Sequence, residues 1–511
     1  MDLVAELARF NPDPALAEWM AATLIQAQKD AAQLKLANIK IQALTLELAY
    51  HKRLKFGAKA ESFTAEQRDL FTESGEEDLS AMQAELEQLS SVAPRAKAKP
   101  TGRKALPADL PRIEHRHEPE SCNCGQCGSS LVQIAEDISE QLDVEPARFF
   151  VHRHIRPQYA CRTCETVTAA AIPPAIIDGG LAAPGLHAWV VIQKYLDHLP
   201  LYRIEQISAR HGAGISRSTL AEWIGRIGVA LQPLVDRLAE LLKERSVLHA
   251  DETPVQQLDP GKGKTKRAYL WAYRSNSLDE GPPIVVFEFQ PGRSGRHART
   301  FLSDWQGHLM VDDYAGYKAL FGHGITELAC LAHARRKFFD LHAANQHPVA
   351  AEALGRIAEL YHIESTAKEY TVEQRAQYRQ EQALPRLETM HAWLLLIRQK
   401  TADGSSLAKA IDYSLKRWPA IMRYADSGNL PIDNNPIENA IRPIAIGKKN
   451  WLFAGSERAG KRAAAIQSLL ATAKANDIEP LAWLKDTLEK LPTCKNNRID
   501  ELLPLRLMPT N

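Results

Sequence analysis

Five strand-like runs and one helix, in fixed order between residues 246 and 333, constrain this chain more than any other feature. VLHADETPVQQL, RAYLWAYRSN and PPIVVFEFQ are rich in β-branched and aromatic residues and follow one another directly. A helical segment, SGRHARTFLSDW, comes next, and two further strands, HLMVDDY and ITELACLA, close the block. This β-β-β-α-β-β order predicts an α/β unit that opens on an antiparallel meander. From His333 to about Gly428 the pattern is helical throughout, and it is helical again over 457–490, with Ser456 as the cap.

Upstream the chain divides by composition. Residues 14 to about 53 lack internal Gly and Pro and read as one long helix. Leu34, Ile41 and Leu48 recur every seven residues, with Ala37 and Leu44 interleaved, a short a/d seam that suits either self-pairing or packing on the same chain. An acid-rich stretch and a Pro-, Ala- and Lys-rich linker reach residue 112. Between Pro184 and Leu242 short helices flank the turn HGAG, with Ser216 and Ser218 as candidate caps, a helix-turn-helix-like pattern. The expected divisions are 1–60 (N-terminal helix), 61–112 (linker), 113–175 (zinc module) and 176–242 (helical DNA-binding segment). They continue with 243–333 (strand-rich), 334–430 (helical), 431–480 and 481–511 (tail).

Composition excludes more than it identifies. The 511 residues carry 63 Lys+Arg against 62 Asp+Glu, with 45% hydrophobic and 24% charged, so the chain is neither disordered nor supercharged. No apolar run approaches the roughly 18 residues of a membrane helix, and MDLVAELARF has no basic lead into an apolar stretch. A cytoplasmic, nucleoid-associated protein is expected. Four of the seven cysteines form two pairs, Cys124-x-x-Cys127 and Cys161-x-x-Cys164. Two such knuckles close a tetrahedral thiolate site, which predicts a structural Zn²⁺. Cys122, His115, His117, His152 and His154 are the substitutes within reach in sequence.

Three acids stand apart: Asp251 in HADETP, Asp312 in LMVDDYAGY and Glu438 in DNNPIENAIRP. Acids at adjacent strand ends plus one on a later helix can converge on Mg²⁺, and two such ions suit in-line phosphoryl displacement. Glu438 also reads as a capping residue, with Asn435 before Pro436 at the first helical position. PGKGKTK lacks the first Gly of a phosphate-binding loop and precedes a strand, so it reads as a hairpin. Cys330-x-x-His333 alone offers too few ligands for a metal and reads as structural.

HADETP, DDYAGY, CLAHARRKFFD and DNNPIENAIRPIAIGKKNWLFAGS, in that order, resemble the DDE transposases of the IS66 family of bacterial insertion sequences. LKFGAKAES, HLPLYR and IDELLPLRL extend the resemblance over nearly the whole chain. It implies a multidomain α+β protein with a ribonuclease-H-like core, interrupted by a helical insertion before the last acid. By position the catalytic triad falls on Asp251, Asp312 and Glu438, with two Mg²⁺, or Mn²⁺, as cofactors. This chain has Asp313 where the family has Gly, so Asp313 competes with Asp312 for the second place. Arg442, Lys448 and Lys449 beside Glu438, and Arg217 and Arg226 in the helical segment, are candidate DNA contacts. Arg335, Arg336 and Lys337 form a second basic run, and Trp451 reads as core.

The resemblance implies strand cleavage and strand transfer on double-stranded DNA, at element ends and in target DNA. It implies a homo-oligomer and accessory proteins of the same element. The alternative is a non-catalytic, sequence-specific DNA-binding regulator built from the same modules.

Overall fold

The structure, a computed structural model, describes scattered helical residues between Thr23 and Asn38 and, apart from short gaps, residues 106–506. Of the proposed zipper seam, Leu34 is helical and 65% exposed, while Ile41, Leu44 and Leu48 lie outside the described residues.

The expected meander forms the heart of a five-stranded mixed sheet. Its strands are β5 (Val247–Asp259), β6 (Lys264–Ser275), β7 (Val285–Gln290), β8 (Gly307–Val311) and β9 (Ile325–Ala329), in the order β7-β6-β5-β8-β9. The first three pair antiparallel; β8 joins β5, and β9 joins β8, in parallel. The hairpin reading of PGKGKTK agrees with Asp259 pairing Lys264 across its mouth. A smaller sheet precedes it: β1 (Arg112–Arg116), β2 (Val132–Glu145), β3 (Arg148–Ala160) and β4 (Val167–Ala169), with β3 central.

Strand alternation gives the large sheet two buried faces. Leu248, Ala250, Trp271, Tyr273, Val286 and Leu309 face one core. It is shared with α1 (Pro184–Tyr195), α2 (Leu201–Arg210), α3 (Arg217–Ala230) and α4 (Gln232–Lys243). The helices expected to form a DNA-binding segment of their own therefore pack as one body with the sheet. On the opposite face Val255, Leu270, Ala272, Val285 and Phe287 pack against α12 (Asn435–Trp451) and α13 (Glu457–Ala475). Trp451 is half-buried against this core, as expected.

After α5 (Arg296–Leu302) and β9, the insertion builds a core of its own. It runs through α6 (Leu331–Asn345), α7 (Pro348–Thr366), α8 (Val372–Tyr378), α9 (Leu384–Gln399), α10 (Ser406–Lys416) and α11 (Trp418–Met422). Phe338, Ile357, Leu387 and Trp418 pack there with Met310 and Leu328 of the sheet.

Local chemistry sets the helix ends. Ser216 and Ser456 each accept the backbone N–H three residues on, as N-caps do. The single helix expected over 457–490 is two, α13 and α14 (Pro480–Lys490). Asn476 turns its side chain back to the Thr472 and Pro283 carbonyls, Asp477 adopts φ 52°, and Pro480 cannot continue a helix from the preceding turn.

Candidate active site

The parallel pairing of β5 with β8 is short: Val247, Leu248 and His249 pair with His308, Leu309 and Met310. Beyond His249 and Met310 the two strands separate. Asp251 within β5 and Asp312 just past the end of β8 each stand two residues beyond this last pair. Further along, β5 is taken up again by Ala454, whose N–H donates to Gln256 O and whose carbonyl accepts from Leu258 N. A split thus opens at the carboxyl end of β8, the place where open α/β sheets bind ligands.

The start of α12 fills that split. Asn434, completely buried, donates from Nδ2 to the Ala250 carbonyl and accepts from His249 Nδ1, both at 2.9 Å. Its own N–H donates to Cys330 Sγ at 3.1 Å. Arg274 Nη1 donates to the Pro436 carbonyl at 2.7 Å. These bonds fix where Glu438 emerges, one turn into the helix. The capping reading of Glu438 is corrected. The helix begins at Asn435 with Asn434 as its cap residue, and Asp433 Oδ1 accepts the Asn435 N–H, so Glu438 lies past the capping position.

Burial, then Glu252, and then Asp312 and Glu438 push Asp251 up to about 8. Burial leads that shift and the neighbouring acids add to it, so the three carboxylates sense one another, although their oxygens do not all come within 4.8 Å of one another. Asp312 Oδ1 is oriented by the Tyr314 N–H at 2.8 Å. Asp313 turns elsewhere, 3.9 Å from both Arg417 Nε and Lys318 Nζ.

Glu252, the neighbour of Asp251, points to the opposite face. Arg293 Nη2 reaches its carboxylate at 2.6 Å and Tyr317 Oη donates to it at 2.9 Å. Sequence reasoning passed over Glu252, Arg293 and Asn434; only HADETP and DNNPIENA hinted at the first and last. A groove beside Glu438 is lined by His333, Arg335, Arg336, Phe339, Tyr361 and Asn435. His333 Nδ1 stands 3.6 Å from Glu438 Oε1.

The other predicted contacts divide. Arg442, one turn beyond Glu438, and Lys449 are exposed. Lys448 Nζ is committed to the Pro254 carbonyl at 2.9 Å. Arg226 pairs with Glu222 at 3.4 Å, and the Arg217 N–H donates to Glu205 at 2.9 Å. α3 is buried along most of its length, from Leu220 to Val229. That burial narrows what α3 can present to a major groove to its exposed and half-buried residues, Arg217 and Arg226 among them.

In the cysteine module Cys127 Sγ is 3.3 Å from Cys161 Sγ and 3.8 Å from Cys164 Sγ. The backbone N–H groups of Cys164 and Thr163 hold the Cys161 thiol below its ordinary range. Three sulfurs so close, one of them biased toward thiolate, fit a zinc ion. Cys122 and Cys124 lie outside the described residues. The nearby histidines take other work: His115 bonds His152, and His117 bonds His154. Among the described residues no helix is long and apolar enough to cross a membrane.

Comparison with known proteins points to one class, the transposases. The model "Transposase IS66 family" matches residues 179–462, and "zinc-finger binding domain of transposase IS66" matches 121–165. "IS66 C-terminal element" matches 468–505, and "Transposase C of IS166 homeodomain" matches 43–114. Uncharacterized protein y4jD of Sinorhizobium fredii (strain NBRC 101917 / NGR234) is 35% identical over 499 residues, 94% of this chain and 96% of its own length. Uncharacterized protein y4qI of the same organism is 36% identical over 507 residues, covering 96% and 93%. The chain belongs to the IS66 transposase family.

Proposed function

We propose that the chain catalyses metal-dependent strand cleavage and strand transfer of an insertion sequence, from a ribonuclease-H-like core. Water, then a DNA 3′-hydroxyl, attacks phosphodiesters at the element ends and in target DNA. Asp251, Asp312 and Glu438 would hold two Mg²⁺, or Mn²⁺. Bound there, the ions would supply Lewis-acid activation of the attacking oxygen and neutralise the scissile phosphate. The observation that carries this reading is the register His249–Met310, which sets Asp251 and Asp312 side by side where Asn434 anchors the helix of Glu438.

The protein's own groups do the rest. Asn434 holds the third acid against the first strand. Tyr314 orients Asp312 through its N–H. Arg442, Lys449, Arg335 and Arg336, all exposed, grip the DNA backbone, with Arg217 and Arg226 as further contacts. The cysteine module, with Cys124 as its fourth ligand, holds a structural Zn²⁺ beside Cys127, Cys161 and Cys164. A homo-oligomer and accessory proteins belong to the same proposal.

Cleavage of end DNA by the full chain is the test. Asp251→Asn, Asp312→Asn and Glu438→Gln each abolish Mg²⁺-dependent cleavage while end binding persists. If all three cleave like the parent, the catalytic reading fails and the DNA-binding regulator replaces it.

A further inference from the structure

Cys330 follows β9 as the cap residue of α6 and His333 sits in that helix's first turn, so the C-x-x-H spacing places both donors at one helix start. The third donor comes from another element, Glu438 of α12. One ligand atom from each of Cys330, His333 and Glu438 lies within 4.8 Å of the other two. Two atoms each about 2.1 Å from one tetrahedral ion stand roughly 3.4 Å apart. His333 Nδ1 and Glu438 Oε1 are 3.6 Å apart, close to that edge.

Two further observations point to a ligand. His333 Nδ1 is buried and has no hydrogen-bond partner, an arrangement that costs stability unless something accepts its lone pair. Cys330 is buried, and its sulfur accepts the Asn434 N–H at 3.1 Å. That bond helps orient the sulfur, while burial pushes the Cys330 thiol up to about 12, so a metal bound there displaces its proton.

The geometry points to a transition-metal site formed by Cys330, His333 and Glu438, distinct from the cysteine module, that takes Zn²⁺ and shares Glu438 with the acid cluster. A thiolate, an imidazole and one carboxylate select zinc over magnesium, because the soft sulfur and the nitrogen bind Mg²⁺ weakly. Three protein donors leave one position for water, so the site is weaker than a closed thiolate one. Zinc held there draws on the carboxylate that the acid cluster needs. Resting on the catalytic reading above, the consequence is that Zn²⁺ suppresses Mg²⁺-dependent cleavage and excess Mg²⁺ relieves the suppression.

The test begins with zinc binding to the full-length protein by equilibrium dialysis, without DNA or Mg²⁺. The parent binds a second zinc equivalent beyond that of the cysteine module. Cys330→Ser, His333→Ala and Glu438→Gln each lose the second equivalent and keep the first; Cys161→Ser loses the first and keeps the second. Glu438 is partly exposed, so Glu438→Gln serves if the buried Cys330 variant fails to fold. Co²⁺ in the second site gives a thiolate-to-cobalt absorption band in the parent that Glu438→Gln removes. Asp251→Asn keeps both zincs although cleavage is lost, which separates this site from the catalytic centre.

In the cleavage assay, each variant measured against its own Mg²⁺-only rate, Cys330→Ser raises the zinc needed for half-inhibition at least about tenfold. A parent that binds no second zinc overturns the site, as does a second equivalent that survives in all three ligand variants. A parent that binds two zincs and never cleaves DNA leaves the metal site standing and overturns the catalytic reading.

Discussion

The carboxamide of Asn434 and the imidazole of His249 meet at 2.9 Å with both side chains completely buried, Oδ1 accepting from Nδ1–H. Burial lowers His249 to about 4, so the ring is neutral near pH 7 and its proton sits on the nitrogen that faces Asn434. The same carboxamide donates to Ala250 O, one residue before Asp251. Asn434→Ala leaves a buried N–H and a buried carbonyl unpaired, a cost of about 2–4 kcal/mol in unfolding free energy. Cleavage falls with it, because the start of the helix that carries Glu438 is no longer tied to the strand that carries Asp251. Urea denaturation and a cleavage rate for Asn434→Ala check both parts; parental values for each would remove Asn434 from this role.

Asp251 gives the metal-free protein a pH dependence. Its folded pKa of about 8 lies above the ordinary carboxylate value of about 3.9. The folded state therefore holds this proton more tightly than the unfolded state does. Its contribution is fully favourable below about pH 4 and is lost as pH rises through about 8. Asp251→Asn removes the charge, so without metal the variant gains on the parent by a few kcal/mol between pH 6 and 9. Mg²⁺ stabilises the parent over the same range and not the variant. Thermal melts across pH, with and without Mg²⁺, test the sign; equal melts for both proteins at pH 8 would refute it.

The neighbouring aspartates separate. Asp312→Asn stops cleavage. Asp313→Asn leaves it within about twofold and costs about 1 kcal/mol or less, because Arg417 keeps Glu327 at 2.8 Å. The opposite pattern would assign the second acid to Asp313.

The cysteine module answers to metal content. Cys161→Ser loses about one zinc per chain and destabilises the small sheet, whose end the cysteine terminates. Elemental analysis and limited proteolysis report the two effects; unchanged zinc content would overturn the ligand set.

The DNA contacts differ in kind. Arg442→Ala and Arg335→Ala each lower the slope of log affinity against log salt by about 1, as lost phosphate contacts do. Arg226→Ala lowers that slope as well and, because Arg226 is half-buried and paired with Glu222, also lowers stability. Binding measured from low to moderate salt checks the slopes, and urea denaturation checks the stability.

The amino-acid order alone determined the strand succession from VLHADETP to ITELACLA, the caps at Ser216 and Ser456 and the paired cysteines. Each is written in near neighbours, through side-chain alternation, local hydrogen bonding or ligand spacing. Composition and pattern also yielded the three acids, and the ordered motifs carried their resemblance to one family. Which of two adjacent aspartates faces Asp251 was not readable, because it follows from the register His249–Met310 between strands far apart in the chain. Cys330-x-x-His333 offers only two donors in sequence, because the third group beside it, Glu438, arrives from α12, across the whole insertion. The helix-turn-helix pattern of α2 and α3 was legible, but its burial was not. A helix shows its own apolar spacing in sequence; only packing decides how many of its faces are covered.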